Sequence, residues 1–262
     1  MKNLQVQHFI VDWIKEYANK YFKKSLIIGI SGGIDSALTS TLCAMTGLTT
    51  IVLSMPIYQK KNELDNAEKH IKWLCSQYNN VQFMNIDLSD FFDQFKNSIP
   101  KSHHSELGLA NSKARIRMLT LYQIATQENG IVVGTGNKIE DFGIGFFTKY
   151  GDGGVDISPI ADLNKSEVKN LAQALNIITD IITAPPTDGL WSDGRTDEKQ
   201  IGATYKELEW AMEFNSNRDL NSREKKVMQI YHELNQKNQH KMKPIPICKI
   251  PKNMKQLPSN YL

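Results

Sequence analysis

One stretch constrains the fold of this chain more than any other. The apolar run Leu26-Ile27-Ile28-Gly29-Ile30 leads directly into Ser31-Gly32-Gly33-Ile34-Asp35-Ser36, and residues Ala37 to Met45 continue as a helix. A short apolar run of this kind suits a strand buried on both faces. The glycines that follow let backbone N–H groups approach a ligand, and the helix N-terminus adds positive potential, so the loop is a cradle for an anion, with phosphate its natural guest. A tight strand-to-helix turn, with Asp35 or Ser36 as the helix cap, is the plainer alternative.

The pattern recurs along the chain. Strands are expected at Thr50–Met55, Val81–Ile86 and Ile131–Val133. Helices are expected at Glu63–Gln77, around Ser89–Phe95 and at Ser112–Glu128. Phe9, Ile10, Trp13, Ile14 and Tyr17 mark one face of an opening amphipathic helix. Strands alternating with helices imply an α/β fold, a doubly wound parallel sheet covered on both faces. Ligands of such sheets collect at the carboxyl ends of the strands, so the loops after Ile30, Met55 and Val133 are expected to meet in one crevice. Beyond Gly134 come Gly- and Asp-rich loops, a helix near Lys165–Leu175, a loop through Ala184–Thr196, and polar helices near Ala203–Phe214 and Ser222–Gln239. The proline-punctuated segment from Lys243 to Leu262 excludes regular helix and reads as a basic tail or a lid.

The chain has 262 residues, 40% hydrophobic and 23% charged, which is enough for a sizeable core; one domain spanning 1–262 is the simplest count. It holds no apolar run of membrane-spanning length and no secretory cleavage site near its start, so a cytoplasmic address without membrane attachment is expected. Cys43, Cys75 and Cys248 are too few and too scattered for a disulfide framework or a metal knuckle, and read as buried small side chains. The net charge is +3, yet residues 237–262 carry six Lys and no acid, which leaves the rest of the chain net acidic. That distribution argues against a nucleic-acid-binding body.

No Walker loop is present, and Gly134-Thr135-Gly136 lacks the third glycine of a dinucleotide fingerprint. The hexapeptide Ser31–Ser36 instead resembles the pyrophosphate loop of the ATP pyrophosphatases. Most of the chain resembles one branch of them, the NAD synthetases, through three segments: Asn111-Ser112-Lys113-Ala114-Arg115-Ile116-Arg117-Met118, Gly134-Thr135-Gly136-Asn137-Lys138-Ile139-Glu140, and Phe146-Phe147-Thr148-Lys149-Tyr150-Gly151-Asp152-Gly153-Gly154-Val155-Asp156.

The resemblance implies roles by position. ATP would lie against Gly29, Ile30, Ser31, Gly32, Gly33, Ile34, Asp35 and Ser36, with Thr135, Lys165 and Thr187 completing the site. Asp35 and Glu140, as hard oxygen donors, would hold Mg²⁺ and act with Lys165 in catalysis. The substrate would meet Arg115, Lys149, Asp156, His240 and Lys241. Three departures stand out: Ser54-Met55-Pro56 where the family commonly has an arginine before Leu-Pro; a Glu140-to-Phe146 interval one residue longer than in many ammonia-dependent members, with Asp141 as the rival ligand; and a Gly134–Lys138 segment closer to glutamine-dependent relatives.

The implied reaction is amidation of the nicotinate carboxylate of deamido-NAD by ammonia, through an acyl-adenylate formed from ATP, releasing AMP and pyrophosphate. Free ammonia is the expected donor because 262 residues leave no room for a glutaminase domain. The same amidation of nicotinate mononucleotide is the first alternative. A tRNA-thiolating enzyme and a catalytically inactive nucleotide-binding regulator are the others. The family implies a homodimer whose substrate site spans both subunits, and residues near 240 that order only when substrate binds.

Overall fold

The computed structural model describes residues 2–187, 189–191 and 195–255. Its sheet has four parallel strands, β1 Ser25–Gly29, β2 Thr49–Ser54, β3 Val81–Asn85 and β4 Gly130–Val132, in the order β3-β2-β1-β4. β1 is central, with Ile27 opposite Ile51 on one side and Val132 on the other. A single parallel bridge, Val133 to Ile157, extends the β4 edge.

Alternation along the strands sorts side chains into two layers, as the twofold strand period requires. Leu26, Ile28, Val52 and Ile131 pack with helices α1 (Asn3–Lys20), α2 (Ile34–Met45), α3 (Lys61–Gln77), α6 (Lys165–Ala174) and α7 (Thr179–Thr183). Ile27, Ile51, Leu53 and Val132 pack on the opposite face with α4 (Ser89–Ser98) and α5 (Glu106–Gln127). The expected doubly wound sheet is therefore present. β3 departs from its expected burial, because as the edge strand it leaves Gln82, Phe83 and Asn85 exposed.

A third apolar cluster joins α9 (Tyr205–Glu213), α10 (Ser222–Met242) and a π-helical turn, Ile139–Ile144. The sequence reading missed this turn, along with α7 and α8 (Asp197–Ile201), all too short to show periodicity. α5 starts at Glu106 and not at Ser112, because Ser105 caps it by accepting the Gly108 N–H at 3.1 Å. In the tail, Lys252–Lys255 forms one helical turn, α11, where no helix was expected; residues 256–262 lie outside the described ones. Only Cys43 is buried as expected, whereas Cys75 and Cys248 are exposed. Among the described residues no helix is long and apolar enough to cross a membrane.

Candidate active site

The three loops expected to converge do so. A cleft of about 340 Å³ opens at the carboxyl ends of the strands, lined by Gly29 to Ser36 after β1, Ser54 to Pro56 after β2, and Val133 to Thr135 after β4. Gly32 has φ +85, and a Cβ there would stand 2.4 Å from the Glu63 carbonyl oxygen of α3, so both its turn and its packing demand glycine. Gly33 is the N-cap of α2 and offers no side chain to the first helical turn. Neither Asp35 nor Ser36 caps the helix: both lie inside it. The loop satisfies itself instead, with the Ser31 N–H donating to Ser36 Oγ at 3.2 Å and the Gly33 N–H to Ser31 Oγ at 3.2 Å. An anion bound at this helix start would take over those donors.

The cleft also holds a buried charge cluster. Lys165, the first residue of α6, places Nζ 2.5 Å from Asp35 Oδ2 and 3.0 Å from Glu140 Oε1. Tyr205 donates to the same Glu140 oxygen at 2.5 Å and to Asp197 Oδ2 at 3.2 Å. Asn137, fully buried, links the two acids: its Nδ2 donates to Asp35 Oδ1 at 3.3 Å while its Oδ1 accepts the Glu140 N–H at 3.2 Å. Burial pushes the Asp35 carboxyl up, against the pull of Lys165, and the Glu140 charge adds to the rise. Burial also works against the Glu140 charge, yet Lys165, Tyr205 and Asn137 together hold it below the usual carboxylate range. Burial lowers Lys165, but the two acids outweigh it and hold the ammonium firmly charged. Burial and the neighbouring acids keep the Tyr205 phenol protonated, so it remains a donor.

The backbone turns Glu140 and Asp141 in different directions. The π-helical turn begins at Ile139, and a π turn is the usual way for a helix to absorb one extra residue. It leaves Glu140 facing Lys165, while Asp141 points away toward a second, smaller hollow lined also by Gly136, Phe147 and Lys241.

Of the other residues expected at the nucleotide, Thr135 and Thr187 both line the cleft. Thr187 Oγ1 accepts from the Gly189 N–H at 3.2 Å and reaches the Arg195 carbonyl at 3.4 Å. Asp188 and residues 192–194 of that loop lie outside the described residues.

The residues expected at the substrate are not in the cleft. Arg115 is exposed and donates to the Lys149 carbonyl at 3.3 Å. Lys149 Nζ donates to the His240 carbonyl at 2.8 Å, and Lys241 Nζ to the Phe147 carbonyl at 2.7 Å. These four basic residues therefore share one surface patch around the loop at 146–150. Asp156 stands apart at the end of β4, accepting from the Val132 N–H at 2.8 Å and from the Tyr122 hydroxyl at 3.0 Å. His240 and Lys241 are the last turn of α10 rather than part of a disordered end.

Sequence reasoning passed over Asn137, Tyr205, Asp197 and Arg117. Arg117, two residues beyond Arg115, lines the cleft, donating through Nε to the Met55 carbonyl at 2.9 Å and through Nη2 to Gln59 Oε1 at 2.7 Å. A guanidinium from α5 thus stands beside Ser54-Met55-Pro56, the loop that lacks one of its own. Burial lowers its pKa to about 10, which leaves it charged at neutral pH.

Comparison with known proteins agrees with this geometry. The sequence model of the NAD synthase family matches residues 6–245. The chain is 40% identical to the NH(3)-dependent NAD(+) synthetase of Saccharolobus solfataricus over 205 residues, 78% of this chain and 71% of that one. It is 36% identical to that of Finegoldia magna over 225 residues, 85% of this chain and 90% of the other. Among solved structures, NMN synthetase from Francisella tularensis superposes with a TM-score of 0.85 at 30% identity, covering 96% of this chain and 99% of that one. The NH3-dependent NAD synthetase from Campylobacter jejuni, in complex with nitrate, gives 0.76 at 29% identity, covering 95% and 100%. The parallel sheet is of the ATP pyrophosphatase type, and the chain belongs to the NAD synthase family, as a ligase that forms a C–N bond.

Proposed function

We propose that the protein makes NAD by amidating the nicotinate carboxylate of deamido-NAD with ammonia, using ATP. The observation that carries this reading is the meeting, in one cleft, of the glycine loop with the cluster that its Asp35 forms with Lys165 and Glu140. The nicotinate carboxylate attacks the α-phosphorus of ATP, the bond to the β-phosphate oxygen breaks, and pyrophosphate leaves. Ammonia then adds to the acyl-adenylate carbonyl, loses a proton and expels AMP. A carboxylate resists attack by ammonia until it is adenylated, and no covalent enzyme nucleophile is required.

The chain supplies position and charge. Amides of the loop and of the first turn of α2 face the phosphates, and Lys165 offsets negative charge as it moves onto the leaving pyrophosphate. Asp35 Oδ2 and Glu140 Oε1 converge on one point, as shown by the single Nζ that both reach. Among the described residues no third acid, His or Cys joins them. Two carboxylates suit Mg²⁺, which takes its remaining ligands from water and phosphate oxygens and would supply charge neutralisation there.

Purified protein incubated with ATP, ammonium and deamido-NAD should give NAD, AMP and pyrophosphate in equal amounts. Binding of ATP without AMP release would sink the reading in favour of a regulator. Nicotinate mononucleotide is the rival acceptor, supported by the superposition on the Francisella tularensis NMN synthetase. Side-by-side turnover of the two acceptors decides between them. The acceptor patch around Arg115 and Lys149 lies outside the cleft, which is consistent with a homodimer in which a second copy closes it.

A further inference from the structure

Lys165 Nζ is bonded to both of the carboxylates, Asp35 and Glu140, that would hold a divalent ion. It is 2.5 Å from one carboxylate oxygen and 3.0 Å from the other, and only 11% of its side chain is exposed. A magnesium ion would draw on the same two carboxylates, so the ammonium and the metal compete for them. We propose that Lys165 is a latch: it closes the metal site in the nucleotide-free protein and releases it only when nucleotide phosphates offer the lysine another anionic partner.

The surroundings suit a moving lysine on a fixed frame. The backbone of Lys165 is pinned on both sides, since the Asn164 N–H donates to Glu167 Oε2 at 2.9 Å and the Ser166 N–H to Glu209 Oε1 at 2.8 Å. Only its four-carbon stem is free to swing. Both acids keep partners that do not travel with it, Tyr205 on Glu140 and Asn137 on Asp35, so the pair stays aimed after the lysine leaves. Lys165 and the glycine loop face the same cleft, which puts incoming phosphates on the side to which the lysine must turn. Metal and nucleotide binding are then coupled, each tightening the other.

This inference rests on the reading of Asp35 and Glu140 as metal ligands. The test uses Mn²⁺ followed by electron paramagnetic resonance, with the full chain, with and without α,β-methylene-ATP, and measured against the analogue alone. Wild-type protein without nucleotide should leave Mn²⁺ free, and should not rise in thermal midpoint when Mn²⁺ is added. Lys165→Gln and Lys165→Met should bind Mn²⁺ without nucleotide at least tenfold more tightly than wild type, with Mg²⁺ competing. Nucleotide-free wild-type protein that binds Mn²⁺ as tightly as with the analogue overturns the latch, whatever the variants do. Folded variants with no gain over wild type overturn it as well. Glu140→Gln separates the two failures: if it leaves analogue-dependent Mn²⁺ binding unchanged, the metal reading itself is wrong. If that binding weakens while the lysine variants gain nothing, the latch alone fails.

Discussion

The cleft and the basic patch on the same protein are built by opposite means. In the cleft, Asp35, Asn137, Glu140, Lys165 and Tyr205 are largely buried, and each is bonded side chain to side chain by another member of the group. On the patch, Arg115, Lys149 and Lys241 reach main-chain carbonyls near the surface, and no carboxylate is among those partners. A buried cluster fixes geometry before a ligand arrives, because leaving any member unpaired costs its desolvation. Cations resting on carbonyls can be recruited by an anion without breaking an ion pair. The cleft is therefore preorganised apart from the proposed swing of Lys165, and the patch is left adaptable.

The largest effect should come from breaking the cleft. Asp35→Ala and Glu140→Ala should each lower AMP formation by roughly a hundredfold or more while circular dichroism shows a folded protein. Asp141→Ala, which removes the acid turned away from Lys165, should stay near wild type. A damaging Asp141 change beside a silent Glu140 change would reverse the assignment made from the π-helical turn.

The frame beneath the cleft should be pH-sensitive. His70 of α3 is fully buried with Nε2 2.9 Å from Ser40 Oγ of α2, the helix that follows the glycine loop. Burial pushes its pKa down to about 4 from 6.5. The folded state keeps it neutral while the unfolded chain takes up a proton below about pH 6.5. Its contribution is therefore complete above that pH and is lost as pH falls toward 4. Urea unfolding should show wild type losing about 2 kcal/mol more than His70→Gln between pH 7 and pH 5. Equal losses would mean that His70 does not carry the effect.

Arg117 and Arg115 offer a sharper contrast on a single helix. Arg117→Ala leaves the Met55 carbonyl and Gln59 without their donor and should cost about 2 kcal/mol in urea unfolding. Arg115→Ala should change stability by less than about 0.5 kcal/mol, as exposed substitutions do. Matching losses would erase the distinction between buried and exposed guanidinium.

The smallest effect belongs to the patch. Lys241→Ala combined with His240→Ala should raise the KM for the acceptor about fivefold, roughly 1 kcal/mol at the level set for a single charged contact, and leave the KM for ATP unchanged. An equal rise for ATP would place these residues on the nucleotide side and dissolve the division.

The sequence by itself determined the sheet and the loop. Unbroken apolar runs in β1, β2 and β4 mark strands buried on both faces, where strand geometry puts Ile27 and Ile28 in opposite layers, and the Ser31–Ser36 glycines announce a turn that favours glycine at Gly32. Asp35, Glu140 and Lys165 were legible through resemblance, and their meeting is what the strand order then produced. Tertiary structure alone decided the rest. Two residues along a helix turn by roughly 200°, so which of Arg115 and Arg117 faced the cleft depended on how α5 packs on the sheet. Tyr205 lies 65 residues from Glu140, on a helix whose own pattern carries no sign of that partner. Residues near 240 were expected to order only with substrate, because composition counts charge and not contacts. Asn235, Asn238 and Lys241, spaced three apart on α10, instead bond the carbonyls of Gly143, Ile144 and Phe147. Local periodicity fixes which residues share a face, whereas the partner that face will meet is set by packing between segments far apart in the chain.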